Sequence, residues 1–412
     1  MPECGRGRIF FLCAVAAMGG FLFGYDTAVI NGAEQQVQSL WKLTSFVHGL
    51  VMSSALWGTV IGAVCGGKVC DAIGRRPTLF WVGFLYLVSA VWSAFAFGPW
   101  DMSFARFVGG LGVGASSIAA PVYIAEIAPS GRRGQLGGLF QFNIVLGMVV
   151  SQFVNWWIGS AGFGDWTWRL MLGAEAVPAL AFTLLVPFLD ESPRHLVMRE
   201  DAAAVAGGSS PFFCRANMRP VLLAFTVAMF NQLSGINAMM YFARRVFEMA
   251  GFTPQIALCM AAWMSVVLGL GTFAGLFLID RLGRRMMLIV GSVGCIIAHF
   301  AAAAAFVYGF GLIASLCIFQ FIVFFAVGQG VVIWVFISEI FPQRFRAQGQ
   351  SWGSFIHWSF CAALTFVFPA MAALWSPAAI FSFFGACLVA HLLWAVFVCP
   401  ETKGKPLEET SK

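Results

Sequence analysis

The hexapeptide Asp71-Ala-Ile-Gly-Arg75-Arg76 returns 209 residues further along the chain as Asp280-Arg-Leu-Gly-Arg284-Arg285. Each copy interrupts a long apolar stretch. Two more motifs recur in the second part of the chain. Glu126-Ile-Ala-Pro129 with Arg133 corresponds to Glu339-Ile-Phe-Pro342 with Arg346, 213 residues later. Glu191-Ser-Pro-Arg194 corresponds to Glu401-Thr-Lys403, 210 residues later. Charged motifs that recur between apolar runs, each 209 to 213 residues from its first copy, predict a membrane protein made of two similar halves.

The composition excludes an ordinary soluble protein. Of the 412 residues, 60% are hydrophobic and 10% are charged, whereas about 25% are charged in a typical soluble domain. Runs of about 20 apolar residues cross a bilayer as helices. Twelve such runs are present, at 9–30, 47–66, 77–97, 102–124, 136–158, 169–188, 220–242, 254–279, 286–308, 312–337, 348–371 and 377–398. The excess apolar surface is therefore expected to face the lipid bilayer.

The sequence predicts an all-α membrane protein of twelve transmembrane helices in two pseudo-symmetric six-helix bundles. The predicted parts are residues 1–188, a shortened cytoplasmic linker at 189–219, residues 220–398 and a cytoplasmic tail at 399–412. Of the 24 Lys and Arg residues, nineteen fall in the termini or after even-numbered runs, and the exceptions are Lys42, Arg106, Arg169, Arg244 and Arg245. The positive-inside rule therefore places both termini in the cytoplasm. The net charge of +6 follows from that bias and does not indicate nucleic-acid binding. A cleavable signal peptide is not expected, because the first run is long and contains Asp26.

Three ionisable residues fall inside the predicted membrane spans. Asp26 lies in the first span, about five residues from its expected outer end, Arg106 lies near the outer start of the fourth, and Glu175 lies in the sixth. Such residues are costly in a membrane and usually functional. Asp26 and Arg106 are expected either to form a structural salt bridge or to form a proton site whose charge the arginine modulates. The residues alone leave these two alternatives open.

The repeated charged motifs predict a cytoplasmic latch. Glycine permits the tight turn, the aspartate can brace a helix end, and the arginines can reach carboxylates of neighbouring helices. The duplication of both signs favours ion pairs between helices over charges that serve only to orient the chain. The predicted latch residues are Asp71, Arg75, Arg76, Glu126, Arg133 and Glu191 in the first half, and Asp280, Arg284, Arg285, Glu339, Arg346 and Glu401 in the second.

Polar amides inside the spans predict a site for a polyhydroxylated ligand, since amides supply both donors and acceptors. These are Gln141 in the fifth run and Asn231, Gln232 and Asn237 in the seventh, around Ser234-Gly235. Trp334 and Trp358 offer flat apolar faces for a sugar ring. Each residue alone is equally compatible with helix packing, but the group favours a binding site.

Enzymatic, metal and cofactor sites are not expected. Gly110-Leu-Gly112-Val-Gly114 lies in an apolar helix with no preceding strand and indicates close helix packing instead of dinucleotide binding. His48, His195, His299 and His391 are scattered without metal-ligand spacing, and the eleven cysteines contain no CxxC pair. No nucleophile and base occur together.

The chain resembles the sugar porter family of the major facilitator superfamily. The matching segments are Gly20 to Asp26, the two Asp-x-x-Gly-Arg-Arg loops, Arg106-Phe-Val-Gly-Gly, Tyr123-Ile-Ala-Glu126, Leu189 to Arg194, Gln232 to Asn237, Ser338 to Pro342 and Pro400 to Gly404. The resemblance is greatest to bacterial xylose–proton symporters and animal glucose facilitators. It implies that Phe23, Gln141, Gln232, Asn237 and Trp334 contact sugar and that Asp26 and Arg106 couple transport to protons, since animal facilitators have Asn in place of this Asp.

The chain departs from the family at several of these positions. Met148 and Asn231 each replace a glutamine, His357 replaces an Asn or Gln that touches sugar, and Val331 replaces a proline. His357 is therefore an expected ligand contact next to Trp358. The resemblance implies a monomeric monosaccharide transporter of the plasma (inner) membrane that moves hexose or pentose with protons by alternating access. The alternatives are an uncoupled sugar uniporter and a non-transporting sugar sensor, although sensors of this fold generally carry long cytoplasmic extensions.

Overall fold

The computed structural model of the chain describes residues 6–129, 133–192, 212–342 and 345–403. Most of the predicted linker and residues 404–412 of the predicted tail lie outside these ranges. The chain divides into two compact units, Met1–Ser209 and Ser210–Lys412. In the described residues twelve helices are long and apolar enough to cross a membrane, which confirms the predicted number.

The first unit contains six of these helices. Five are continuous: α1 (Arg6–Leu40), α2 (Ser45–Ile73), α3 (Arg75–Ala94), α4 (Pro99–Ile127) and α5 (Arg133–Ala161). The sixth, α6, is built from shorter pieces that include Thr167–Gly173 and Ala176–Leu185, with Glu175 at the gap between them.

The second unit repeats this arrangement with two interruptions. Its first helix, α7, consists of Met218–Leu233 and Ile236–Tyr241. The continuous helices are α8 (Pro254–Leu282), α9 (Arg284–Val307), α11 (Arg346–Leu374) and α12 (Pro377–Phe397). The fourth, α10, runs as Gly311–Phe325, a π-helical turn at Ala326–Gly330, and Val331–Ile340.

Equivalent helices pack against each other in both units, which is the structural form of the sequence repeat. In the first unit α1 packs on α5, α2 on α4, and α3 on α4 and α6. In the second unit α7 packs on α11, α8 on α10, and α9 on α10 and α12. Each pair of the first unit therefore has its counterpart six helices later.

Glycines bring α2 and α4 close together. A side-chain carbon at Gly110 would lie 1.8 Å from the carbonyl oxygen of Ala55, and one at Gly114 would lie 2.4 Å from that of Thr59. At Gly58 the nearest atom would be the carbonyl oxygen of Phe107, at 2.2 Å. Small residues allow membrane helices to approach in this way. The glycines of α4 thus pack helices, as predicted.

Candidate functional site

The first unit contains a buried ion pair between α1 and α4. Nη1 of Arg106 lies 2.6 Å from Oδ1 of Asp26, and Nη2 donates to the Asp26 backbone oxygen at 2.9 Å and to Oδ2 at 3.3 Å. The side chains are 3% and 2% exposed. The predicted pairing of the two residues is therefore present. A bidentate guanidinium–carboxylate contact is among the stronger polar contacts in proteins.

The position of Asp26 differs from the sequence prediction. The prediction placed Asp26 near the end of the first span, but α1 continues to Leu40 and leaves Asp26 within the helix. The error came from taking the polar residues after Ile30 as the end of the span. In the structure Asn31 is buried and its amide donates to Oε1 of Gln152 on α5 at 3.0 Å. Polar residues satisfied in this way can continue a membrane helix.

Glu175 completes this charged centre from the gap in α6. It is 1% exposed and lies close to the Asp26 carboxyl group and to Arg106. Two carboxyl groups can hydrogen bond to each other only when one carries a proton, because a carboxylate has no donor. The structure thus brings together all three residues that the sequence singled out inside the membrane: Asp26, Arg106 and Glu175.

The second unit contains a network of neutral polar side chains on α7. Nδ2 of Asn237 donates to Oε1 of Gln232 at 2.6 Å, across the interruption of the helix. Nε2 of Gln232 donates to Oδ1 of Asn231 at 3.0 Å and lies 3.1 Å from the ring nitrogens of His357 on α11. Gln232 is fully buried and Asn237 is half-buried. Three amides predicted to bind a sugar are therefore in mutual contact.

Aromatic rings line this network. The ring of His357 lies with its centroid 4.9 Å from that of Trp334 on α10 and 4.9 Å from that of Trp358. His357 is 8% exposed and Trp358 is 7% exposed, whereas Trp334 is half-buried. The amides and rings together form a polar site with an aromatic wall, which is the arrangement that carbohydrate hydroxyls and ring faces require.

The remaining predicted sugar contacts belong to the first unit. Phe23 is buried on α1, and Gln141 is exposed on α5. Met148, which stands in place of a family glutamine, is half-buried on α5. The first unit therefore offers one exposed amide, Gln141, at these positions, whereas the second unit offers three.

The first charged motif lies where α2, α3 and α4 meet at their ends. Its polar cluster of Asp71, Arg75, Glu126 and Glu191 is called the first brace. The guanidinium of Arg75 donates to both carboxylate oxygens of Glu126, at 3.1 and 3.0 Å, and also pairs with Asp71 at 3.1 Å. Gly74, with φ of +100°, makes the turn between α2 and α3. The carboxylate of Glu191 accepts from the backbone N–H of Arg75 at 2.9 Å and so caps the N-terminus of α3.

The second unit builds the same brace. Arg284 donates to both oxygens of Glu339, at 3.0 and 2.8 Å, and pairs with Asp280 at 3.1 Å. Gly283, with φ of +90°, makes the turn. The carboxylate of Glu401 accepts from the backbone N–H of Arg284 at 2.9 Å and caps α9. Each brace is complete within its own unit.

Two arginines of the predicted latch bind carbonyls, contrary to the expectation that they reach carboxylates. Arg76 donates to the backbone oxygen of Pro187 at 2.7 Å, and Arg285 donates to the backbone oxygens of Ala395 and Val396. The reason is that the last carbonyls of a helix have no partner within the helix and attract donors. Arg133 and Arg346 begin α5 and α11, and their side chains lie outside the described set.

Sequence reasoning missed a second buried pair in the first unit. Nε2 of His48 on α2 lies 3.1 Å from Oε1 of Glu34 on α1, and both side chains are at most 1% exposed. The histidine had no partner at ligand spacing along the chain. The signal for this pair in the sequence is Glu34, a charged residue eight positions after Asp26. It was overlooked because the predicted first span ends at residue 30, whereas α1 continues to Leu40.

These features define a polytopic membrane transporter with a charged centre in one repeat and an amide site in the other. The profile described as "sugar (and other) transporter" matches residues 12–207 and again 205–412, so the chain belongs to this family. The membership confirms the resemblance to sugar porters and a role in transport as opposed to catalysis.

Similar proteins agree with this placement. The chain is 31% identical to an arabinose-proton symporter of Bacillus subtilis (strain 168), over 98% of its own length and 95% of that protein. It is 31% identical to a glucose transport protein of Synechocystis sp. (strain ATCC 27184 / PCC 6803 / Kazusa), over 97% and 96%. The crystal structure of a D-xylose-proton symporter matches with a TM-score of 0.87 and 30% identity, over 96% of this chain and 99% of that one.

Proposed function

We propose that the chain is a proton-coupled monosaccharide symporter of the plasma membrane, acting as a monomer with both termini in the cytoplasm. The names of similar proteins support a hexose or pentose as substrate, since they carry arabinose, glucose or xylose. The excess of Lys and Arg on one side of the spans supports the orientation.

The charged centre of the first unit carries the proposal of proton coupling. Two buried carboxyl groups, Asp26 and Glu175, face a single guanidinium, Arg106. With both acids ionised, one negative charge would lack compensation inside the membrane, which is costly. A bound proton removes that charge and allows the two carboxyl groups to hydrogen bond. Proton uptake and release at this centre would thus change its electrostatic state within the transport cycle.

The amide network of the second unit is the proposed sugar site. The amide of Gln232 bonds to those of Asn231 and Asn237. A sugar can exchange these contacts for bonds to its hydroxyls without leaving a buried amide unpaired. At the proposed sugar site His357 contributes the edge of its ring, and Trp334 contributes an apolar ring face. Phe23 and Gln141 of the first unit are the further proposed contacts.

The two braces have a proposed role at the cytoplasmic ends of the helices. Each ties three helices of its own unit through one arginine, and a further carboxylate caps the helix that begins with this arginine. Braces of this kind make each unit move as one body, which alternating access needs.

Sugar counterflow in proteoliposomes tests the function. Vesicles loaded with one unlabelled sugar of a pentose and hexose panel should take up the labelled sugar, and an inwardly directed proton gradient should drive accumulation. Exchange without accumulation would make the protein a uniporter, and the absence of exchange with every sugar would contradict transport. The chain has 15 tryptophans, so a Trp334→Phe variant shows whether a fluorescence change on binding comes from the site.

A further inference from the structure

The interruption of α7 is the feature that places the amides of the second unit. Gly235 adopts φ of +87°, in the left-handed region, between Met218–Leu233 and Ile236–Tyr241. A side-chain carbon there would lie 2.8 Å from the ring of Phe384 on α12, so the position needs glycine for its space as well as its conformation. Gln232 precedes the break and Asn237 follows it, and their direct contact depends on the geometry of the break.

A helix break leaves backbone carbonyls without partners. The second segment starts its own ladder at Gly235, whose oxygen accepts from the N–H of Met239 at 2.9 Å. Ser234 caps the first segment, and its carbonyl oxygen lies 3.0 Å from Nε2 of His299. A carbonyl can only accept, so Nε2 of His299 carries the hydrogen and donates it.

His299 reaches this carbonyl from α9 and is itself held in place. It is fully buried, and its ring packs at centroid distances of 4.4 Å from Phe321, 5.6 Å from Phe381 and 6.0 Å from Phe384. Within the described residues, the other ring nitrogen, Nδ1, has no hydrogen-bond partner. Within the described residues, the backbone carbonyl of Ser234 at the break of α7 is thus the one hydrogen-bond partner of the buried His299 ring.

We propose that His299 is a positioning residue for the substrate site, which fixes the break of α7 by donating to Ser234 and so sets Gln232 and Asn237 at their mutual distance. The inference rests on the proposed function only in naming the ligand as a sugar. The residue itself touches neither amide through any described contact. Its effect on the ligand passes through the backbone at Ser234 and Gly235.

Three variants separate the donated hydrogen bond from packing. His299→Phe keeps an aromatic ring among the phenylalanines but has no donor, and His299→Met replaces it if that variant does not fold. His299→Gln retains an N–H donor. Cys295→Ala is the matched control, because Cys295 is equally buried one turn earlier on α9 and bonds to a carbonyl of α10 at 3.7 Å, at Phe321.

Hydrogen–deuterium exchange of the purified protein without ligand is the first measurement. The amides of 235–241 should exchange faster in His299→Phe than in wild type, whereas His299→Gln and Cys295→Ala should exchange like wild type. Unchanged exchange in His299→Phe, or exchange in His299→Gln as fast as in His299→Phe, would overturn the proposal.

Sugar binding is the second measurement. The sugar affinity of His299→Phe should fall about fivefold, which is the scale of one lost hydrogen bond. The ratio of its affinities for epimeric sugars should also become smaller. His299→Gln should recover both. Should wild type bind none of the sugars, the proposed function fails, and the exchange comparison still decides the role of His299.

Discussion

The two units match at the ends of their helices and differ in the middle. Arg75 with Glu126 and Arg284 with Glu339 form the same bidentate pairs, on turns made by equivalent glycines. Within the membrane the first unit buries Asp26, Glu34, Arg106 and Glu175. The second has no Asp, Glu, Lys or Arg in 220–243, 254–279, 286–338 or 347–399 and relies on neutral amides and histidines instead.

This difference indicates a division of labour between the repeats. The shared braces set how helices meet at their ends, and nothing in them depends on the ligand. The middle of each unit is then free to carry its own chemistry: charge in the first unit, which is the proposed proton site, and neutral amides in the second unit, which are the proposed contacts for a sugar. Exchanging residues between the units should therefore be tolerated at the braces and damaging in the middle.

The largest expected effect comes from removing the charge of the first unit. Asp26→Asn should abolish accumulation driven by a pH gradient while sugar exchange continues, since the amide still bonds to Arg106 but cannot bind a proton at neutral pH. Uphill uptake and counterflow in the same proteoliposomes measure this. Asp101→Asn is the control, because this carboxylate at the start of α4 bonds to Trp92 and the Phe97 N–H, away from the centre. Retained uphill uptake in Asp26→Asn would assign the proton to another group.

The amides of the second unit should give the next largest effect. Gln232→Ala and Asn237→Ala should each weaken sugar binding about three- to tenfold, because a lost neutral hydrogen bond costs roughly 0.5–1.5 kcal/mol. Titration by tryptophan fluorescence measures the affinity. Gln141→Ala should cost less if the second unit holds the ligand mainly, and Thr226→Ala, an exposed-side change on α7 that loses only a bond to Leu222, should cost nothing. Wild-type affinity of both α7 variants for every sugar would refute the site.

The sequence predicted the repeat and the number of spans, because long apolar runs and repeated motifs can be recognised along the chain. It did not predict contacts made in space. Glu34 and His48 are 14 positions apart on different helices, and His299 reaches Ser234 from two helices away. No spacing along the chain encodes such distances.

The interruptions of the helices were not predicted from the sequence. The break in α7 lies at Gly235, where glycine adopts a left-handed conformation that other residues rarely adopt. Glycines also occur in the π-helical turn at Ala326–Gly330 and before the gap at Glu175, but Gly173, Gly328 and Gly330 do not adopt positive φ, so these interruptions differ from the break at Gly235. At the π-helical turn Gln329 places its amide 3.2 Å from His391 and its backbone oxygen 3.4 Å from Asn231, contacts that no spacing along the chain indicates.

The braces should differ in stability despite their shared geometry. Glu126→Gln breaks a pair whose side chains are 5% and 8% exposed, whereas the partners of the Glu339 pair are 11% and 21% exposed. Breaking a buried pair costs about 3–5 kcal/mol, and solvent screening reduces that cost. Glu126→Gln should therefore lower the thermal unfolding midpoint more than Glu339→Gln, measured on the purified protein in one detergent. Equal shifts would mean that burial does not distinguish the two braces.

The smallest expected effect concerns a hydroxyl group that is hydrogen bonded in the second brace and has no partner in the first within the described residues. Thr402 follows Glu401 and donates its hydroxyl to Oε2 of Glu339 at 2.6 Å. Its counterpart Ser192 follows Glu191, and its buried hydroxyl has no hydrogen-bond partner within the described residues. Thr402→Val keeps the shape of the side chain and loses the bond, at a cost of about 1 kcal/mol.

Ser192→Ala loses no bond and sheds a buried, unpaired polar group, so it should leave stability unchanged or raise it slightly. The unfolding midpoints of both variants, with wild type in the same detergent, measure the difference. A fall in Ser192→Ala as large as that in Thr402→Val would show that the hydroxyl of Ser192 has a partner after all, and that the two braces are alike down to their last hydrogen bond.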